Sequence, residues 1–265
     1  MKRMHTKQSL LADLTKSGIP RDATVLIHSS MKSVGEVNGG ADTVLDALSE
    51  YFEPGLLVLP SHTWETINQD GDVFDPEVSA SCVGILTDLF WRRPETVRSW
   101  HPTHSVAALG AEAREFVAGE ETTRSPCPRG GVYGRLLDRG AYILFLGVPM
   151  SRNTFVHGVE EWNGIQNRLA EKPTRLAVRT PGGTLVQAPQ NMHSAPIPDV
   201  SANYDKLRAV LEKSGDLQVA SLGDAELFIT TAPAVNRVAS ALLAENPDIF
   251  LDDEPVDKGW EPPQA

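Results

Sequence analysis

The sequence predicts an α/β fold: a single three-layer α/β/α domain built around a central mixed sheet. Three observations predict it. Short apolar runs bounded by turn formers alternate with segments whose apolar residues recur at helical spacing. Two strand-like runs near residue 180 are joined by a turn rather than by a helix, which makes the sheet mixed. No low-complexity linker or fixed-period repeat divides the 265 residues, so one domain spans 1–265, with an irregular tail from about 254.

Residues 9–17 read as a helix with Leu10, Leu11 and Leu14 on one face, stopped by Gly18-Ile19-Pro20. The run 23–30, centred on Val25-Leu26-Ile27, is a buried strand. A glycine-bearing loop leads to Gly39-Gly40, after which Val44, Leu45, Leu48, Tyr51 and Phe52 recur at helical spacing. Pro54-Gly55 breaks the chain, and 56–59 forms a second buried strand ending at Pro60. Residues 84–92 are helical, 106–109 a strand, 133–137 a short helix and 142–148 the strongest strand. A helix over 154–167 follows. The runs 175–179 and 184–188, joined by Thr180-Pro181-Gly182-Gly183, form a β-hairpin. A helix at 204–213, a strand at 226–230 and a helix at 233–245 complete the pattern, and the proline-rich 254–265 is read as a poorly ordered extension.

Composition excludes several classes. With 41% hydrophobic residues the chain can bury a full core, and 24 Lys+Arg against 35 Asp+Glu give a net charge of −11 that repels nucleic acid. The longest apolar run, 141–148, is too short to span a bilayer, and the basic Met1-Lys2-Arg3-Met4-His5 is followed by no uninterrupted apolar stretch. Neither a membrane nor an export signal is expected. Cys82 and Cys127 make neither a disulfide framework nor a metal-type pair, which fits a reducing cytoplasm.

Four segments could carry chemistry. The loop His28-Ser29-Ser30-Met31-Lys32 through Gly35 and Gly39-Gly40 joins a buried strand to a helix, where free N–H groups favour phosphate; it has neither Rossmann nor P-loop spacing, and an ordinary turn explains it equally well. His101 and His104 are spaced like metal ligands, but Pro102 between them argues against helical geometry. After the strongest strand, Thr154, His157 and Glu160 fall on one helical stripe, either as an acid–base relay or as a capped start with a solvated His/Glu pair. Ser61-His62-Thr63-Trp64-Glu65, with Asp70, Asp72 and Asp75 behind it, could recognise a cation or form solvated turns. His5 and His193 have no partner in the sequence.

Together these segments resemble the aminoglycoside 3-N-acetyltransferase family, whose antibiotic acetyltransferase fold is distinct from the Gcn-type acetyltransferases. The resemblance rests on Leu26-Ile27-His28-Ser29-Ser30 through Gly39-Gly40, on Arg98-Ser99, His101-Pro102 and His104-Ser105, and on Gly147 followed by Asn153-Thr154, His157 and Glu160-Glu161. Leu59-Pro60, Phe74-Asp75-Pro76 and Ser125-Pro126-Cys127 support it, in the family's order over 9–250. The resemblance implies acetyl transfer from acetyl-coenzyme A to an amine, in this family the 3-amino group of a deoxystreptamine aminoglycoside, without a metal. It implies His157 as general base, Glu160 orienting it and Thr154 stabilising negative charge; Ser29, Ser30, Lys32, Val34, Gly35, Val37, His104 and Ser105 as coenzyme A contacts; and Glu65, Asp72 and Asp75 as candidate contacts to a cationic acceptor. One departure stands out: Gly119-Glu120-Glu121 replaces the Gly-His pair of many members, in a short 116–125 segment. Competing readings are an acyltransferase acting on another small amine and a metal-dependent hydrolase built on His101, His104, His157 and Glu160. A homodimer is left open.

Overall fold

Apolar runs of five or six residues, such as 24–29 and 142–146, are stable only when both faces are covered, and helices cover them here. The computed structural model describes residues 4–264. In chain order it contains α1 (Lys7–Ser17), β1 (Thr24–Ser29), α2 (Met31–Val34), α3 (Gly40–Tyr51), β2 (Leu56–Pro60), β3 (Val73–Phe74), α4 (Ile85–Phe90), β4 (Val97–Arg98) and β5 (Val106–Leu109). There follow α5 (Ala113–Phe116), α6 (Val132–Asp138), β6 (Tyr142–Leu146), α7 (Thr154–Trp162), β7 (Ala177–Arg179), β8 (Leu185–Gln187), α8 (Lys206–Lys213), β9 (Gln218–Leu222), β10 (Ala225–Thr231) and α9 (Ala232–Glu245).

Seven strands make the central sheet, in the order β4-β5-β2-β1-β6-β10-β9. Its centre is parallel, with β1 paired to β2 and β6, whereas β5 and β10 run antiparallel to β2 and β6. Strand alternation sends Val25, Ile27, Leu144 and Leu146 into one core with α1, α3 and α4. Leu26, Ile143, Phe145 and Phe228 go to the opposite core with α6, α7 and α9. Two cores on the two faces of one sheet make the three layers.

Several expectations change. The hairpin forms, but β7 and β8 join β3 in a separate three-stranded sheet over a small cluster of Phe74, Leu176 and Val178; the central sheet is mixed through β5 and β10 instead. The helix expected over 154–167 ends at Trp162 because Gly164 takes the left-handed conformation (φ +65°), letting Gly164 N–H donate to the Glu161 carbonyl and Ile165 N–H to that of Glu160. The first part of the helix expected at 204–213 is a 3-10 turn, Val200–Asp205. Among the described residues the tail beyond 253 has no helix or strand, yet it is docked rather than loose. Val256 and Trp260 pack on the larger core, and the Trp260 indole N–H donates to Glu245 at 3.0 Å. Among the described residues no helix is long and apolar enough to cross a membrane.

Candidate active site

The parallel strands β1, β2 and β6 deliver their following loops to one edge of the sheet, the position where open α/β sheets bind ligands. Backbone hydrogen bonds fix these loops: Ser30 N–H donates to the Leu146 carbonyl at 2.9 Å, and Thr63 N–H to that of Thr103 at 2.9 Å. Gly147 (φ +62°) lets the exit of β6 press against the β1 loop, since a Cβ there would fall 2.2 Å from Ser33 Cβ. The cleft so formed has two adjoining lobes of about 300 and 280 Å3, which share His62, Trp64, Val83, Arg152 and Thr154. His104, Asn153, His157 and His193 line the first lobe; His28, Ser29, Glu65 and Cys82 line the second.

At the centre is a chain of hydrogen bonds. The Tyr204 hydroxyl lies 2.7 Å from His157 Nδ1 and donates to Glu160 Oε2 at 2.5 Å, and Arg168 Nε donates to Glu160 Oε1 at 2.7 Å. Burial would raise the Glu160 carboxyl, but His157, Tyr204 and Arg168 together hold it below the ordinary carboxylate range, so it is ionised at neutral pH. An ionised Glu160 cannot donate, and Tyr204 has one hydroxyl proton, given to Glu160; the tyrosine oxygen therefore accepts from His157 Nδ1–H. That fixes the imidazole tautomer and leaves the lone pair on Nε2. Glu160 and His157 lie side by side as the helical spacing predicts, 3.7 Å apart, and Tyr204 bridges them with the shorter hydrogen bonds.

Around His157 stands a wall of imidazoles. His193 stacks on it with centroids 4.0 Å apart, and His104 lies 4.9 Å from His193 and 4.7 Å from His62. Burial pushes His62, His104 and His193 well below the ordinary histidine value, His101 to about 4 and His28 to about 3. At neutral pH this wall is uncharged. The metal-hydrolase constellation is not assembled. His101 Nε2 donates to the Ser125 carbonyl at 3.0 Å, its Nδ1 accepts the backbone N–H of His104 at 2.9 Å, and Glu160 is held by Arg168 and Tyr204. Among the described residues one mixed group, Cys127, Glu161 and His193, brings potential ligand atoms within 4.8 Å of one another. There Glu161 already accepts from the Ser125 hydroxyl at 2.6 Å and from Cys127 N–H at 2.9 Å.

Of the expected coenzyme contacts, Ser29 and His104 line the cleft and Lys32 is exposed beside it in sequence. The Ser30 hydroxyl accepts from Ser33 at 3.1 Å, Gly35 has φ +88° against Asp224, and Val37 bridges to His5. Val34 and Ser105 differ from expectation. The Val34 side chain is wholly buried in the core because α2 turns it inward, and the wholly buried Ser105 hydroxyl donates to the Ser61 carbonyl at 2.7 Å. Neither lines the cleft. Among the expected acids only Glu65 does. Asp72 accepts the backbone N–H groups of Asn68 and Gln69 at 2.9 and 2.8 Å, and Asp75 that of Glu77 at 3.0 Å, so both are turn residues. Glu120, at the departure from the family pattern, is buried and accepts Val132 N–H at 3.0 Å, serving the start of α6. His62, Asn153, His193, Arg168 and Tyr204 are cleft or network residues to which the sequence assigns no role; His62 and Asn153 lie in segments singled out for chemistry, the other three do not. His5 is structural, its Nε2 bonded to Asp224 at 2.9 Å.

A family profile described as aminoglycoside 3-N-acetyltransferase matches residues 26–244. The SPbeta prophage-derived aminoglycoside N(3')-acetyltransferase-like protein YokD of Bacillus subtilis (strain 168) is 32% identical in an alignment 184 residues long that covers 58% of this chain and 64% of that protein. Aminoglycoside N(3)-acetyltransferase VII of Streptomyces paromomycinus is 32% identical in an alignment 173 residues long that covers 58% of this chain and 60% of that one. The matches thus span less than two thirds of these relatives. In structure, a mutant of the aminoglycoside acetyltransferase AAC(3)-IVa in complex with a gentamicin superposes with a TM-score of 0.80 at 24% identity, covering 94% of this chain and 92% of that one. AAC-IIIb in its binary complex with CoASH gives 0.80 at 23%, covering 92% and 97%. At these identities the superpositions establish the fold.

Proposed function

The chain belongs to the aminoglycoside 3-N-acetyltransferase family, and from that premise we propose that it transfers an acetyl group from acetyl-coenzyme A to an amine of an aminoglycoside, with His157 as general base. One observation carries the reading: a histidine whose Nδ1–H is committed to Tyr204 lines a cleft at the carboxyl ends of three parallel strands.

Acetyl-coenzyme A supplies an activated thioester. The residues fit such a ligand, since buried polar atoms lining the cleft, His28 Nε2 among them, have no protein partner. His157 Nε2 takes the proton that the amine sheds as it attacks, and Glu160, acting through Tyr204, stabilises the imidazolium so formed. Thr154, which lines both lobes, donates from its hydroxyl toward the negative charge that develops on the acyl oxygen. His157 then returns its proton to the departing thiolate. No nucleophilic cysteine takes part: burial pushes the thiols of Cys82 and Cys127 up, and Cys127 is wholly buried. The cytoplasm is the setting that fits two free thiols and this cosubstrate.

A second acceptor, an amine with fewer positive charges, is favoured by the lining itself. Glu65 is the one expected acid that reaches the cleft, in company with the cationic Arg152 and the apolar Trp64 and Val83. Thiol release from acetyl-coenzyme A, followed with gentamicin, apramycin and a panel of simple monoamines, tests both readings. Turnover confined to monoamines selects the second; no turnover with any amine overturns acetyl transfer.

A further inference from the structure

Asn153 stands immediately before α7, at the position where an asparagine side chain normally accepts a helix N–H. It makes no such bond. The residue is 1% exposed, yet neither Oδ1 nor Nδ2 has a protein partner. Its backbone is fully used: Asn153 N–H donates to the Met150 carbonyl at 2.9 Å, and its own carbonyl accepts from Val156 N–H at 3.1 Å. Asn153 belongs to the lining of the cleft lobe that holds His157, next in sequence to Thr154. A buried amide with no protein bond destabilises the fold, and a small apolar residue would avoid that cost. What distinguishes Asn153 from the other unpartnered imidazole atoms of the cleft, His28 Nε2 and His193 Nε2, is that it offers a donor and an acceptor together.

We propose that Asn153 binds the amide-bearing arm of the acyl donor, with Nδ2 donating to an amide carbonyl and Oδ1 accepting an amide N–H. The arm of coenzyme A carries secondary amides, which present both complements at short spacing from the thioester. Asn153 then selects donors by their arm, while His157 and Thr154 serve the reacting atoms. This inference rests on the acetyl-transfer reading above, and its test separates the two.

The test compares wild type with Asn153→Leu, close in shape but without polar atoms, and with Asn153→Ala as a second variant. Calorimetric titration with coenzyme A should show binding weakened about tenfold to a hundredfold in both variants, the loss expected for two hydrogen bonds. The thermal midpoint of free Asn153→Leu should equal or exceed that of wild type by about 2–4 °C, because an unbonded buried amide has been removed. In turnover, wild type should prefer S-acetyl-N-acetylcysteamine, which keeps an amide, over S-ethyl thioacetate, which has none, and Asn153→Leu should lose most of that preference. Coenzyme A binding by Asn153→Leu as tight as by wild type overturns the inference and leaves acetyl transfer intact. So does weakened binding accompanied by a lowered midpoint in both variants, which assigns Asn153 to the fold. A wild-type chain that binds no coenzyme A overturns both.

Discussion

Replacing Tyr204 by Phe removes one oxygen from the middle of the chain that joins His157 to Glu160. Tyr204 is wholly buried, and its ring packs edge-on against Phe250 at 5.1 Å, a contact that phenylalanine keeps. What goes is a 2.5 Å bond to a carboxylate and a 2.7 Å bond to His157 Nδ1. With the oxygen gone, His157 and Glu160 face each other across 3.7 Å with no bridging group, so neither tautomer of the imidazole is selected. Hydrogen bonds to charged groups are worth about 1.5–3 kcal/mol, and the bond to an imidazolium strengthens as the proton arrives. The expected loss in kcat/KM is therefore about tenfold to 150-fold, expressed in kcat, with coenzyme A affinity unchanged. Glu160 keeps Arg168 and remains ionised, so the chain stays folded. Thiol-release kinetics beside a coenzyme A titration measure both quantities. A Tyr204→Phe enzyme within twofold of wild type would refute the bridging role, and with it the tautomer argument.

Three further outcomes are expected. His157→Ala should abolish thiol release while coenzyme A still binds in calorimetry; retained turnover would remove His157 as base. Arg98 is 6% exposed and donates to the Ser61 and Ser79 carbonyls at 2.7 and 2.6 Å while lying 4.4 Å over Trp91, so Arg98→Ala strands those carbonyls beside a cavity; urea titration should show about 3–5 kcal/mol lost. The last concerns acid. His28 and His101, held by burial at about 3 and about 4, stay neutral in the folded chain as histidines of the unfolded chain charge below pH 6.5, and His62, His104 and His193 are lowered in the same sense. The unfolded state binds more of these protons, so their contribution falls as pH drops from 6.5 toward 4. Glu120 and Glu161, raised by burial to about 7 from 4.5, act oppositely: between those values they are protonated only in the fold, and they cost stability as pH rises. Five imidazoles outweigh two carboxyls. Stability should fall by several kcal/mol between pH 7 and pH 5, at about 1.4 kcal/mol per unit for each net group, and a urea midpoint that is level or higher at pH 5 would contradict this.

How much of this was legible depended on range. The strands at 24–29, 56–60 and 142–146 are buried on both faces, and each announces itself as an apolar run between turn formers. β3 and β4, with two residues each, are too short to show any period, and β9 has a mostly exposed surface with one buried residue. His157 and Glu160 were legible because one helical turn joins them. Tyr204 was not, being 47 residues from His157 and 44 from Glu160 and meeting them only through tertiary packing. The histidine wall was invisible for the same reason: His62, His104 and His193 arrive on separate loops. Asp72 and Asp75 are open to two readings in sequence, as solvated turns or, from the acidic balance of the chain, as contacts to a cationic acceptor, and in the fold their carboxylates accept turn N–H groups. The apolar spacing over 154–167 runs past the true helix end because it carries no sign of the left-handed turn at Gly164.

The 3-10 turn that carries Tyr204 is pinned from outside the cleft. Asp205 accepts Met150 N–H at 3.0 Å, Asn203 donates to the Phe250 carbonyl at 2.9 Å, and Lys206 to that of Ile249 at 2.7 Å. The hydroxyl that meets His157 is therefore held in place by a clasp reaching from Met150, at the start of the turn before α7, to the 249–250 segment after α9. Release of that clasp would part Tyr204 from His157 and Glu160 while leaving the pairing of the central sheet untouched, so the geometry of the cleft depends on local contacts that the sheet does not supply.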